Sequence, residues 1–158
     1  MELASNSIFD AELALVGESW QSPLLAERKQ QGCVRFSYVP LNARLPRRYR
    51  CQPELAINQA SKSEESRQVS ELTSNQKAEI TRRLSTRINP VLKSAQYDQP
   101  AYCQQALSVA KEILQGADDE SEMGVFYDLF QPQREANLKL RLKEYLRFGL
   151  EAGIFYET

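Results

Sequence analysis

The chain has 158 residues, 42% of them hydrophobic, and a formal net charge of −1. That is one domain, or one domain plus an appendage, long enough to bury roughly two-thirds of its unfolded surface. The near-neutral balance excludes a bulk electrostatic pull on nucleic acid or on an anionic membrane, and the lack of any histidine removes the commonest general base, the commonest zinc ligand and the Ser-His and Cys-His nucleophile pairs.

Residues 8–16 are largely apolar. Read as a strand, alternation sets Ala11, Leu13 and Leu15 on one side and Asp10, Glu12 and Ala14 on the other. A helix is the alternative, and Gly17 ends either. Residues 33–39 predict a clearer strand, with Val34, Phe36 and Tyr38 on one face and Cys33, Arg35 and Ser37 on the other. Pro40 stops it. Pro46, Pro53 and four arginines then predict an extended, irregular segment over 41–53.

Residues 54–74 read as a polar linker, because Val69 and Leu72 are the only large apolar residues after Ile57. Ser74-Asn75 can cap a helix over about 76–88, with Ile80, Leu84 and Ile88 at i, i+4, i+8 and Arg82, Arg83 and Arg87 off that stripe. Asn89-Pro90 ends it. A second helix is expected to open near Pro100 and to stop at Gly116, burying Ala106, Leu107, Ala110, Ile113 and Leu114. An acidic loop fills 117–124, and the apolar residues 125–130 must be buried. A last helix over about 133–150 aligns Leu138, Leu142, Tyr145, Leu146 and Leu150, and Ile154-Phe155-Tyr156 can dock as a hook. The aromatics Phe126, Tyr127, Phe130, Tyr145, Phe148, Phe155 and Tyr156 read as core, with partly exposed anchors of a protein interface as the alternative.

Cys33, Cys51 and Cys103 lack C-x-x-C spacing and are odd in number, so they read as reduced thiols of a cytoplasmic protein. A Cys33–Cys51 bridge is the minority alternative. No apolar run approaches spanning length, and the first residues carry no secretory signature. The acids Asp118, Asp119, Glu120 and Glu122 lack the ligand spacing of a calcium loop, so a solvated loop is favoured. A pairing with the arginines is the middle case. Arg44, Arg47, Arg48 and Arg50, with Tyr49 among them, form the candidate partner-binding segment, since guanidinium pairs planar carboxylates in two-pronged fashion. A plain solvated loop is the competing reading, and nucleic acid ranks below both.

Two blocks carry a resemblance. One is Gly32-Cys33-Val34-Arg35-Phe36-Ser37-Tyr38-Val39-Pro40 with Pro46-Arg47-Arg48-Tyr49-Arg50-Cys51-Gln52-Pro53. The other runs from Ser121-Glu122-Met123-Gly124 through Gln131-Pro132-Gln133-Arg134-Glu135-Ala136-Asn137-Leu138 to Gly149-Leu150-Glu151-Ala152-Gly153-Ile154-Phe155-Tyr156. They resemble the C-terminal region of large bacterial proteins in which a long repetitive region, expected to be a right-handed parallel β-helix, precedes this pattern. The genes of those proteins accompany phage-tail-like contractile injection systems. Here the repetitive region is absent. The resemblance implies an end rung of a β-helix and a place in a contractile particle, and it supplies no catalytic residues.

The expected fold is therefore α+β: a β-rich segment over 1–53, the linker over 54–74, and a small helical module of about three helices over 75–158. The expected function is that of a non-enzymatic structural or adaptor subunit, associated with a baseplate. Its partners would be other protein subunits or further copies of itself, with no cofactor, no metal and no membrane span. The alternatives are a carbohydrate-active β-helix relative and, third, a nucleic-acid-binding module.

Overall fold

The structure, a computed structural model, describes residues 2–13, 20–68, 70–99, 101–127 and 131–153. The expectations placed on Ala14, Leu15, Val16, Gly17, Val69, Pro100, residues 128–130 and the Ile154-Phe155-Tyr156 hook lie outside the described residues.

Three short strands, β1 (Leu3–Ser5), β2 (Cys33–Arg35) and β3 (Arg47–Tyr49), form a parallel sheet in that order. The register stacks Leu3, Cys33 and Arg47 in one column, Ala4, Val34 and Arg48 in the next, and Ser5, Arg35 and Tyr49 in a third. Each strand is followed by a residue in the left-handed region: Asn6 at φ 54°, Phe36 at 46° and Arg50 at 50°. Beyond that bend the turns pair again, Ile8 with Tyr38 and Tyr38 with Gln52, also parallel. Three successive coils thus stack strand on strand and bend on bend, as the rungs of a parallel β-helix do. A third ladder joins Leu25 to Arg44, where the buried Ser22 hydroxyl lies 2.7 Å from the Leu24 carbonyl and 2.6 Å from that of Asn42.

The bend explains why simple alternation misplaces one aromatic. Val34 and Tyr38 face inward and are buried, but the left-handed residue between them reverses the parity, so Phe36 turns outward and Ser37 turns in. The residue after each bend repeats one contact. Ser7 donates to the Ser5 carbonyl at 2.8 Å, Ser37 to that of Arg35 at 2.6 Å, and the Cys51 thiol to that of Tyr49 at 3.6 Å. Val34, Val39, Ala43 and Cys51 form the inner core of the coils. All three cysteines are free thiols, so the Cys33–Cys51 bridge is absent.

The residues read as a linker instead form α1 (Glu54–Gln68). Its apolar positions, Leu55, Ala56, Ile57 and Ala60, stop after two turns, which hides it from a periodicity argument. Its start is held by the coil before it. The Gln52 side-chain oxygen accepts the Ala56 N–H at 3.3 Å, and Glu54 in the first turn meets Arg48 at 3.2 Å. The next helix, α2 (Ser74–Arg87), is capped by Thr73 rather than by Ser74-Asn75. Thr73 and Gln76 make the reciprocal capping box: Gln76 Oε1 accepts the Thr73 N–H at 2.9 Å, and Thr73 Oγ1 accepts the Gln76 N–H at 3.4 Å. Ile80, Leu84 and Ile88 are buried as expected, and Arg82, Arg83 and Arg87 are exposed.

The helix expected from Pro100 to Gly116 shrinks to α3 (Lys111–Leu114). Before it the chain doubles back. The Lys93, Cys103 and Ala106 amides donate to the Gln104, Ser94 and Val91 carbonyls, each at 2.8 Å, and Cys103 sits at φ 57°. These groups are spent across the loop and cannot make helical bonds. Of the positions expected on the buried face of that helix Ile113 is buried, but Leu107 is exposed, and Val109, which was not expected there, is buried instead.

Tyr38 from the coils joins Ile80, Leu84, Ile88, Ile113 and Met123 in the main core, so coils and helices share one interior. The last helix, α4 (Gln131–Tyr145), ends earlier than its sequence pattern. None of its described side chains is buried, and Tyr145 and, beyond it, Phe148 are exposed rather than core. Among the described residues, no helix is long and apolar enough to cross a membrane.

Candidate functional site

The outward columns of β2 and β3, together with the two bends that follow them, build a dense array of guanidinium and aromatic groups on the coils. Tyr49 stacks in register on Arg35. Phe36 and Arg50, each one residue further on, occupy the equivalent bends. Cation and aromatic therefore alternate both along the chain and between rungs, which lie about 4.8 Å apart in any sheet. The Phe36 and Tyr49 rings meet edge to face, with centroids 5.6 Å apart at 83°. The Arg35 guanidinium lies 5.7 Å from the Phe36 centroid, and that of Arg50 lies 6.0 Å from Phe36 and 5.8 Å from Tyr49.

Such stacking is worth about 0.5–1 kcal/mol per exposed pair. It orients the guanidinium planes while leaving their N–H edges to solvent. Holding a bulky residue in the left-handed region costs about 1–3 kcal/mol, and here that cost is met twice, at Phe36 and Arg50. Arg35, Arg47, Tyr49 and Arg50 are all exposed.

The five residues expected to bind a partner divide. Arg47, Tyr49 and Arg50 belong to this face. Arg48 lies in the inward column with Val34, is half-buried, and is committed to Glu54. Arg44 sits on the separate Leu25 ladder, where its Nη1 donates to Gln21 Oε1 at 2.6 Å. Arg35 and Phe36 were missed, because alternation sent Phe36 inward. The signal for them is the repeat Ser5-Asn6-Ser7, Arg35-Phe36-Ser37, Tyr49-Arg50-Cys51, in which a small hydrogen-bonding residue follows each bend.

A groove of about 370 Å³ borders the face, between Phe36, Arg50 and Leu55 on one side and Lys111, Asp118 and Glu120 on the other. The acids around it are largely engaged in holding the fold. Arg87 binds Glu112 through two hydrogen bonds, one of them Nη1 to Oε2 at 3.3 Å. Burial alone would raise the Glu112 carboxyl, but the hydrogen bonds and charge of Arg87 outweigh it and hold the group below its ordinary value. Asp118 Oδ1 accepts from Asn6 Nδ2 at 3.0 Å and from the Tyr127 hydroxyl at 2.9 Å.

The acidic run does not read as one solvated loop. Asp118, Asp119 and Glu120 are exposed, whereas Glu122 is buried beneath them and accepts the Gln105 N–H at 3.4 Å. The arginine segment draws its ion pair from Glu54 instead. Among the described residues, no group of three or more Cys, Asp or Glu is placed to hold a metal ion.

Chemically the face offers planar cations for carboxylates and flat apolar surface for packing, the residue types that anchor protein interfaces. No family model, no curated protein and no solved structure matches the chain.

Proposed function

We propose that the chain is a non-enzymatic structural or adaptor subunit of a contractile injection or phage-tail-like particle, seated at its baseplate. The observation that carries the protein-contact part is the exposed Arg35–Phe36–Tyr49–Arg50 array, pre-oriented by its own stacking. The resemblance of its two sequence blocks to particle-associated β-helix proteins supports the setting. Three stacked coils suit such a role, since their terminal strand edges invite continuation by another chain. A polysaccharide-processing reading would need two carboxylates converging on a substrate. In the groove Glu112 is bound by Arg87, and Asp118 by Asn6 and Tyr127.

The test is affinity purification of the tagged chain from its native cells with mass spectrometry, beside an Arg35→Glu/Arg50→Glu variant. Sheath, tube or baseplate proteins should co-purify with the unaltered chain and be lost from the variant. A monomer with no particle component, or intact particles that lack this chain, overturns the proposal.

A further inference from the structure

The arginines of this chain divide by what they touch. Arg48, Arg67, Arg82 and Arg87 each meet a carboxylate, on Glu54, Glu64, Glu79 and Glu112. Among the described residues, Arg35, Arg47 and Arg50 have neither an ion pair nor a side-chain hydrogen bond, and all three are exposed on the one outward face. Arg35 and Arg50 crowd a single ring, with guanidiniums 5.7 and 6.0 Å from the Phe36 centroid. Arg47 precedes Tyr49 by two residues, a strand repeat of about 6.8 Å. The outward columns of β2 and β3 and the bends after them hold no aspartate or glutamate. Three like charges therefore repel one another with nothing inside the face to offset them.

Resting on the protein-contact reading above, we propose that this face receives an acidic segment of a partner protein. One aspartate or glutamate of the segment is held between Arg35 and Arg50, and a second on Arg47. Tyr49, 48% exposed, supplies the apolar contact beside them. The rings hold the guanidinium faces and leave the N–H edges to pair carboxylates in their plane. Charge decides among anionic partners. Across the groove from Phe36 and Arg50 stand Asp118 and Glu120, with Lys111 as the one cation among the residues that line that wall. A nucleic acid or an acidic polysaccharide, charged at every unit, runs its charge past those acids. A protein segment sets its carboxylates against the guanidiniums and ends there. The acidic run of a second copy is a poor source, because it is already engaged. Asp118 accepts from Asn6 and Tyr127, and Asp119 from the Ser121 N–H at 3.1 Å and hydroxyl at 2.6 Å.

The test uses the full chain and a short fluorescein-labelled peptide that alternates glutamate with serine around one leucine. Its glutamine counterpart, oligothymidylate and oligogalacturonate are the comparisons. In fluorescence anisotropy the glutamate peptide should bind, more weakly as salt rises. The glutamine peptide should not bind, and both polyanions should bind more weakly. Arg35→Gln/Arg50→Gln should weaken the glutamate peptide about tenfold or more. Arg47→Gln removes no ring contact, so the bends stay as they are, and it should weaken the peptide several-fold. The proposal is overturned if the glutamate peptide does not bind, or if the glutamine peptide or either polyanion binds as tightly. It is also overturned if neither substitution weakens the peptide, or if they dissociate a dimer of the chain instead. Failure here is separable from failure of the particle reading. Sheath, tube or baseplate proteins that co-purify with the chain, and that excess glutamate peptide does not displace, leave that reading standing and overturn this one.

Discussion

At the scale of single residues, the informative groups are those whose surroundings oppose their chemistry. Glu122 is 4% exposed. Burial pushes its carboxyl above the ordinary range, against the Gln105 N–H bond and the charge of Lys93, which pull it down. A carboxyl raised in the folded state adds stability below its unfolded value, about 4.3, and loses that contribution as pH rises through the folded value. Glu122→Gln keeps an oxygen for the Gln105 amide and cannot ionise. Its urea midpoint relative to the unaltered chain should therefore rise as pH increases above about 4, and a constant difference would show that Glu122 ionises alike in the folded and the unfolded chain. Cys51 is a parallel case, since burial raises its thiol above the ordinary value. In native buffer an alkylating reagent should modify the half-exposed Cys33 and Cys103 well before Cys51, as peptide mass mapping would read directly.

At the scale of elements, legibility follows how locally each element is specified. The helix α2 is legible because its stripe, cap and break all lie within its own sequence. Ile80, Leu84 and Ile88 are buried where 3.6-residue periodicity puts them, and only the cap moves, from Ser74 to Thr73. Thr73→Ala should cost about 1 kcal/mol, and Ile88→Ala, at a site with 0% exposure, about 2–5 kcal/mol. Urea unfolding checks both, and a near-zero effect of Ile88→Ala would contradict the packing of that core. The coils are half legible. Val34 and Tyr38 read correctly, but the left-handed bend at Phe36 is a tertiary feature fixed by stacking on Arg50 and Tyr49. The same bend hid the outward face, while β3 reads only as extended and irregular because Pro46 and Pro53 flank it. The helix α1 was missed for the opposite reason, because its start is dictated by the coil through Gln52 and Arg48 and not by an apolar pattern of its own. Residues 101–110 looked helical by apolar spacing alone, yet the Cys103 and Ala106 amides are committed to Ser94 and Val91, and that of Gln105 to Glu122.

For the whole molecule, the question is whether the coils and the helices fold as one unit. Tyr38 answers in structural terms. It leaves the coil core and packs into the cluster of Ile80, Leu84, Ile88, Ile113 and Met123, and its hydroxyl reaches Asn89 Oδ1 at 3.1 Å. The first coil is tied in as well. Asn6 bonds Asp118 through its side chain and accepts the Gly124 N–H at 2.8 Å, and the Ile8 side chain lies against Gly124. With strands this short, isolated coils would expose two edges and little apolar area, so the helices supply much of what holds them. Unfolding should then be cooperative, with the amides of Val34 and Leu84 exchanging through openings of equal free energy in native-state hydrogen exchange. Tyr38→Ala, removing a ring by which the coils enter the main core, should lower both by about 3–5 kcal/mol. A Val34 amide that exchanges far faster than Leu84, or a Tyr38→Ala effect confined to one of the two, would mean that the coils open on their own. The arginine and aromatic face would then be a surface ordered only in contact with its partner.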